Sequence, residues 1–191
     1  ETLVQTRLGC KAGDHLFASG PLGDGNAFAL AQFSPLPDEI KKSIKFQPRA
    51  RLKEGAIMAQ FASACIDSSD GLIAAVDQLM RLNSFGFIIN CKWDRLISPT
   101  ALHLCRITHT PLWLMLAGYH GEFELVFTIP EQNLTGFMAA AQQVNWQPIH
   151  LGRVVPQPSI KLETEGRLVQ IDSARLRNLF AEVGGDIQKY I

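Results

Sequence analysis

Two clusters in this sequence combine residue types that can do chemistry. The first is Ala64-Cys65-Ile66-Asp67-Ser68-Ser69-Asp70-Gly71-Leu72. A short apolar run delivers two carboxylates and two hydroxyls onto a turn ahead of a helical pattern. Asp67 and Asp70 are three positions apart, close enough to serve one cluster of hard cations. Mg²⁺ takes oxygen ligands, keeps waters and is usually shared with substrate phosphates. Two close carboxylates without a cation would repel each other. The competing reading is that one of these side chains only caps the helix, which needs a single one of the four. The second cluster is Gly20-Pro21-Leu22-Gly23-Asp24-Gly25. Glycines at Gly20 and Gly23 let backbone N–H groups approach a ligand, and a helix N-terminus behind them favours negative charge. The loop lacks the Gly-Lys-Ser/Thr of a Walker A motif and the G-x-G-x-x-G spacing. Asp24 would repel a bare phosphate and makes sense if a cation bridges the two. The competing reading is an ordinary strand-to-helix turn with a capping Asp.

The elements around these clusters follow from pattern and punctuation. Residues 15–19 read as a strand entering the glycine loop, and 26–33 as the helix leaving it. Residues 62–67 form a short buried strand ahead of the acidic turn. Residues 70–82 are the clearest helix: Leu72, Ile73, Val76, Leu79 and Met80 fall at helical spacing, and Ser69 or Asp70 can cap it. Further helices are expected at 51–61, 99–106, 131–143 and 174–182. Further strands are expected at 87–90, 122–129 and 150–155, with a hairpin pairing 161–163 and 168–171 across Thr164-Glu165-Gly166-Arg167. Residues 2–5 fit the end of a strand entering from upstream. The sum is one mixed α/β domain over residues 1–191, without repeats or linkers.

Composition narrows the function. The 191 residues are 47% hydrophobic and 19% charged, and Lys plus Arg (18) equals Asp plus Glu (18). No basic excess or basic run points to nucleic acid or a membrane surface. The longest apolar stretches fall well short of the ~20 residues needed to span a bilayer. Cys10, Cys65, Cys91 and Cys105 form no C-x-x-C pair, so reduced thiols in a cytoplasmic protein are expected. The chain opens on Glu1 and runs straight into patterned sequence, as a fragment or trimmed chain would.

The stretch Arg7-Leu8-Gly9-Cys10-Lys11-Ala12-Gly13-Asp14, a strand, then Ser19-Gly20-Pro21-Leu22-Gly23-Asp24 resembles the start of the C-terminal domain of thiamine-monophosphate kinases, which reads Arg-x-Gly-Ala-x-x-Gly-Asp, strand, Thr-Gly-x-Leu-Gly-Asp. The acidic turn is similar to that family's Ala-Ile-Asp-Ile-Ser-Asp-Gly-Leu, with Ser68 in place of Ile. Weaker matches are Pro48-Arg49-Ala50-Arg51-Leu52 with Gly55, where Ala50 replaces a proline, and His150-Leu151-Gly152-Arg153-Val154. The resemblance spans Arg7 to about Val155. It implies an α/β (α+β) fold with a mixed β-sheet and flanking helices, like the C-terminal domain of aminoimidazole ribonucleotide synthase. It implies ATP and Mg²⁺ as cofactors. Asp67 and Asp70, with Asp24, are implied as metal ligands, and Arg7, Gly20, Gly23, Asp24 and Ser69 lie near the nucleotide. It also implies a preceding N-terminal domain that supplies most metal carboxylates, a homodimer at full length, and a small phosphorylated substrate. The isolated chain is then expected to be inactive.

The substrate side departs from the family. Where the family has Gly-Gly-Glu-Asp-Tyr-Glu-Leu, this chain has Tyr119-His120-Gly121-Glu122-Phe123-Glu124-Leu125. The glutamate expected to contact thiamine phosphate falls at Gly121, and Gly184-Gly185-Asp186 offers no aromatic where the family has one. His120 and Glu122 are the candidate substrate groups in this altered loop, His120 as a general base or simply a solvated histidine. Glu122 and Glu124 alternate, so at most one is expected to face the cleft. Three functions are compatible: a phosphotransferase with a changed substrate, an ATP-dependent ring-closing synthase, and a non-catalytic binding or dimerisation module.

Overall fold

The structure is a computed structural model in which residues 5–118, 120–164 and 166–182 are described. Strand β1 (His15–Ala18) leads into helix α1 (Asp24–Phe33), followed by α2 (Asp38–Ser43) and α3 (Leu52–Phe61). Strand β2 (Ala64–Asp67) precedes α4 (Leu72–Asn83) and β3 (Gly86–Ile89). Helices α5 (Trp93–Leu96), α6 (Pro99–Thr108) and α7 (Leu114–Ala117) lead to β4 (Leu125–Ile129), and α8 (Leu134–Gln143) to β5 (Ile149–Val155). The hairpin β6 (Ile160–Thr164) and β7 (Arg167–Ile171) and helix α9 (Ser173–Glu182) follow.

The seven described strands form one sheet in the order β2-β4-β1-β5-β3-β6-β7. Only the β3–β6 pair is parallel, so the sheet is mixed, as expected. Alternation along β1 explains its two faces. Leu16 and Ala18 join the larger core with α1, α4, α6 and α7, while Phe17 joins a second core with Ile57 and Met58 of α3 and Phe137 and Ala141 of α8. That second core is aromatic: Phe17 stacks on Phe127 at 5.7 Å, and Phe137 meets Trp146 edge-on at 5.5 Å. Among the described residues, no helix is long and apolar enough to cross a membrane.

Several expected boundaries shift, two of them at the candidate site. The strand expected from residue 122 begins only at Leu125, and the helix expected from residue 70 begins at Leu72. Helix α2 was not expected; it is six residues long with no buried member, so no apolar periodicity marks it.

Candidate active site

The acidic turn is built by the end of β2 and the start of α4. Gly71 makes it possible: its φ is +86°, in the left-handed region, and a Cβ there would lie 2.4 Å from the Gly118 carbonyl oxygen. Helix α4 therefore starts behind glycine with no side-chain cap, which corrects the expectation that Ser69 or Asp70 caps it. Buried Ser68 fastens the turn to the loop before β4. Its N–H and Oγ donate to the Glu124 carbonyl at 2.8 and 2.9 Å, and its own carbonyl accepts from Gly71 N at 3.0 Å and Glu122 N at 3.2 Å. Both acidic side chains reach solvent. Asp70 is exposed, and the Asp67 side chain is 41% exposed, 3.5 Å from the Arg7 guanidinium. The Ser69 hydroxyl holds the Asp67 carboxyl below the usual range against partial burial, aided by local backbone N–H groups and the Arg7 charge. Gly71→Ala should destabilise the protein by about 2 kcal/mol or more, because it combines backbone strain with a backbone clash. Thermal unfolding would register this as a midpoint lowered by about 4–8 °C at this chain length.

The glycine loop is packed against the same region. Gly23 ends it with φ +103°, placing Asp24 at the first position of α1, where its carboxylate accepts from the Ser98 hydroxyl. The carboxylate of Glu122, 4% exposed, receives the first-turn N–H groups of Gly25 at 3.2 Å and Asn26 at 3.5 Å. A carboxyl group thus already lies at the N-terminus of α1, where the sequence suggested a phosphate. Gly25 is required for this approach, since a Cβ there would meet the Gly121 carbonyl oxygen at 2.2 Å. Buried Asn26 fixes the rest: its amide donates to the Met115, Gly118 and Glu122 oxygens, and its Oδ1 accepts from His120 N at 3.2 Å. The His120 ring lies 6.3 Å from Phe33, and partial burial holds its pKa below the ordinary histidine value.

Glu124 has a different partner set. Arg51 donates to it through Nε at 2.8 Å and through Nη2, the Ser19 hydroxyl donates as well, and Arg51 Nη1 reaches Glu54 at 3.1 Å. Gly20 leaves room for this pair, since a Cβ there would sit 2.4 Å from Arg51 Nη2. Glu122 and Glu124 line one cleft of about 310 Å³ together with Asp24, Ser98, Arg49 and Arg51. The expectation that the two glutamates face opposite sides is corrected. They precede β4, and Phe123 between them has φ +57°, which breaks strand alternation.

Burial pushes the Glu122 carboxyl from its ordinary 4.5 up to about 7, against the N–H groups of Gly25, Asn26 and Gly23 that favour the charged form. The folded state therefore binds this proton more tightly than the unfolded chain. Its contribution is fully present below pH 4.5 and is lost as pH rises to about 7. Chemical denaturation across that window should show a loss of stability in the wild type that Glu122→Gln lacks.

Among the described residues, no three His, Cys, Asp or Glu side chains converge on one metal position. Asp24 stands at the start of α1, and Asp67 and Asp70 stand before α4, so the three do not close a site within the described chain. Asp67 and Asp70 are two oxygen donors open to solvent, a donor set that fits a magnesium ion completed by waters and phosphate oxygens. Gly184-Gly185-Asp186 lies outside the described residues.

No family model matches the chain. A thiamine-monophosphate kinase of Pyrococcus horikoshii is 32% identical over 130 residues, which cover 67% of this chain and 40% of that protein. The hydrogenase maturation protein HypE of E. coli superposes with a TM-score of 0.72 at 18% identity, over 88% of this chain and 52% of its own. AaThiL complexed with AMPPCP and TMP superposes with a TM-score of 0.65 at 22% identity, over 87% and 53%. Over two thirds of its length this chain is similar in sequence to thiamine-monophosphate kinases, and its fold is that of the solved thiamine-monophosphate kinase and HypE structures. It spans about half or less of the length of these relatives. Several residues that organise this region were not read as such from sequence. Asn26 reads as an ordinary helix-start residue, and the Arg51–Glu124 pair joins positions 73 apart.

Proposed function

We propose that this chain is the C-terminal half of an ATP- and magnesium-dependent phosphotransferase whose acceptor is not thiamine monophosphate. The observation that carries the reading is the 67–71 turn, held by Ser68 while Asp67 and Asp70 stay open to solvent. A scaffold or dimerisation module has no need of two solvent-facing carboxylates, one of them paired with Arg7. Magnesium, when bound, neutralises phosphate charge and orients the transferring group. Asp67 and Asp70 would hold it, Arg7 and Ser69 would fix the Asp67 carboxylate, and an N-terminal half would supply the remaining ligands and the homodimer contact. The relatives named thiamine-monophosphate kinase and the AMPPCP and TMP in the AaThiL complex support ATP as donor and a phosphorylated small molecule as acceptor.

The changed acceptor rests on Gly121. A Cβ there would lie 2.5 Å from the Ser69 carbonyl oxygen, so a glutamate cannot stand at this position without lifting the loop off the acidic turn. Product analysis of the full-length protein with ATP and Mg²⁺ tests the reading. Transfer to an acceptor other than thiamine monophosphate, with ADP released, is expected. Release of phosphate with ring closure would indicate a synthase instead, and efficient phosphorylation of thiamine monophosphate would remove the claim of a changed acceptor. The chain by itself should show no turnover.

A further inference from the structure

Outside the carboxylate cleft, β1, β5 and the start of α8 meet at a pair of histidines. His15, 5% exposed, sets its Nδ1 3.0 Å from His150 Nε2 and its Nε2 2.9 Å from the Glu131 carboxylate. Glu131 opens the 3₁₀ turn Glu131–Asn133 ahead of α8, and Arg153 Nη1 donates to the same carboxylate oxygen at 3.4 Å. The His150 ring meets Phe17 of the aromatic core edge-on at 5.0 Å. A bulge assembles the cluster. Phe17 stands opposite His150 and His15 opposite Arg153, so three steps of β5 span two steps of β1. In a regular strand, positions 150 and 153 would face opposite sides of the sheet. The extra residue brings both to the His15 face, while Leu151 and Val154 stay in the larger core.

The protons of this cluster can be counted. The hydrogen bond from His15, aided by Arg153, holds the Glu131 carboxyl below the usual range, so Glu131 accepts and His15 Nε2 carries a hydrogen. The gap between His15 Nδ1 and His150 Nε2 then has room for one hydrogen only. The pair keeps this bond when neutral or with one extra proton on either ring. A second extra proton puts N–H groups on both facing nitrogens. It also sets two positive rings side by side, with Arg153 a third charge and Glu131 the balancing one. Among the described residues, the other elements packed here add no charge to this face. Helix α8 has no ionisable side chain, α3 presents Ile57 and Met58, β4 places Ile129 opposite His15, and β3 places Ile88 opposite Arg153. Asp14 turns instead to Ser63 and to Lys11 N.

We propose that His15 and His150 form an acid-sensitive latch, which holds β1, β5 and the start of α8 together while the pair carries at most one extra proton and opens when it binds a second. The latch stands at the outer end of the strand that leads into Ser19 and the glycine loop, and it does not depend on the phosphotransferase reading. Its sign follows from the surroundings. Partial burial, then the charges of His15 and Arg153, hold His150 below the ordinary histidine value of 6.5. The folded state resists this proton more than the unfolded chain does. The stability is therefore fully present well above pH 6.5 and declines as pH falls below it. Glu122 acts in the opposite direction, since its contribution grows as pH falls.

The test is hydrogen exchange of the full-length protein, followed by mass spectrometry from about pH 7.5 to about pH 5 and corrected for the intrinsic pH dependence of exchange. In the wild type, segments 131–137 and 149–154 should open more readily as pH falls. The slope should approach about ten-fold per pH unit, that of one proton taken up on opening. His150→Leu removes one titrating ring and should abolish the slope. His150→Gln keeps a hydrogen-bond donor for His15 without titrating, and it gives the same reading if the leucine variant fails to fold. Glu131→Gln removes the balancing charge and should move the opening to higher pH. A slope retained in the His150 variants, a wild type that does not loosen in acid, or an opening that Glu131→Gln leaves at the same pH would overturn the proposal.

Discussion

Asp70→Ala should lower ATP-dependent turnover of the full-length protein by about 100-fold or more, the scale expected when a group stabilising transferring charge is removed. The fold should survive. Asp70 is exposed, and α4 starts behind Gly71 with no side-chain cap, so nothing in the helix depends on this carboxylate. Surface substitutions of this kind usually shift stability by no more than about 0.5 kcal/mol. Steady-state kinetics at saturating magnesium, with thermal unfolding of the same preparation, separates the two effects. Full activity in a folded variant would show that Asp70 holds no metal.

Arg51→Ala should produce the largest loss of stability of any single change considered. The Arg51 and Glu124 side chains are only 11% and 12% exposed, and Arg51 reaches Glu124 through two nitrogens and Glu54 through a third. Removing the guanidinium leaves Glu124 buried with a single hydroxyl donor, Ser19. Breaking a buried pair in this way costs about 3 kcal/mol or more, because the remaining charge loses its compensation. The thermal midpoint should fall by about 6–12 °C at this chain length. Glu124→Gln should cost less, since an amide needs no counter-charge. Equal losses in the two variants would mean that packing, not charge compensation, accounts for the effect.

Much of the fold was legible in the sequence because the signals were local. The apolar spacing from Leu72 to Leu79 marks α4, and all four of Leu72, Ile73, Val76 and Leu79 are buried. The strand–turn–helix order around Asp67 and Asp70 was equally plain. Contacts between distant segments were not legible. Nothing local to Glu122 announces that it lies against the first turn of α1, 97 positions away. Nothing local to Phe123 announces a left-handed backbone, since only glycine or asparagine advertises that conformation. This one residue is why strand alternation failed for Glu122 and Glu124. The glycines were legible as points of close approach, but the groups that approach Gly20, Gly25 and Gly71 are the chain's own Arg51, Gly121 and Gly118.

Asp67 and Asp70 are proposed to hold the magnesium of a bound nucleotide. Titration of the full-length protein with AMPPCP across a range of magnesium concentrations tests it most directly, comparing the wild type with the Asp67→Asn/Asp70→Asn variant. The wild type should bind the analogue more tightly as magnesium rises, and the variant should lose that dependence while unfolding at nearly the same temperature. An identical magnesium dependence in the two proteins would contradict the account.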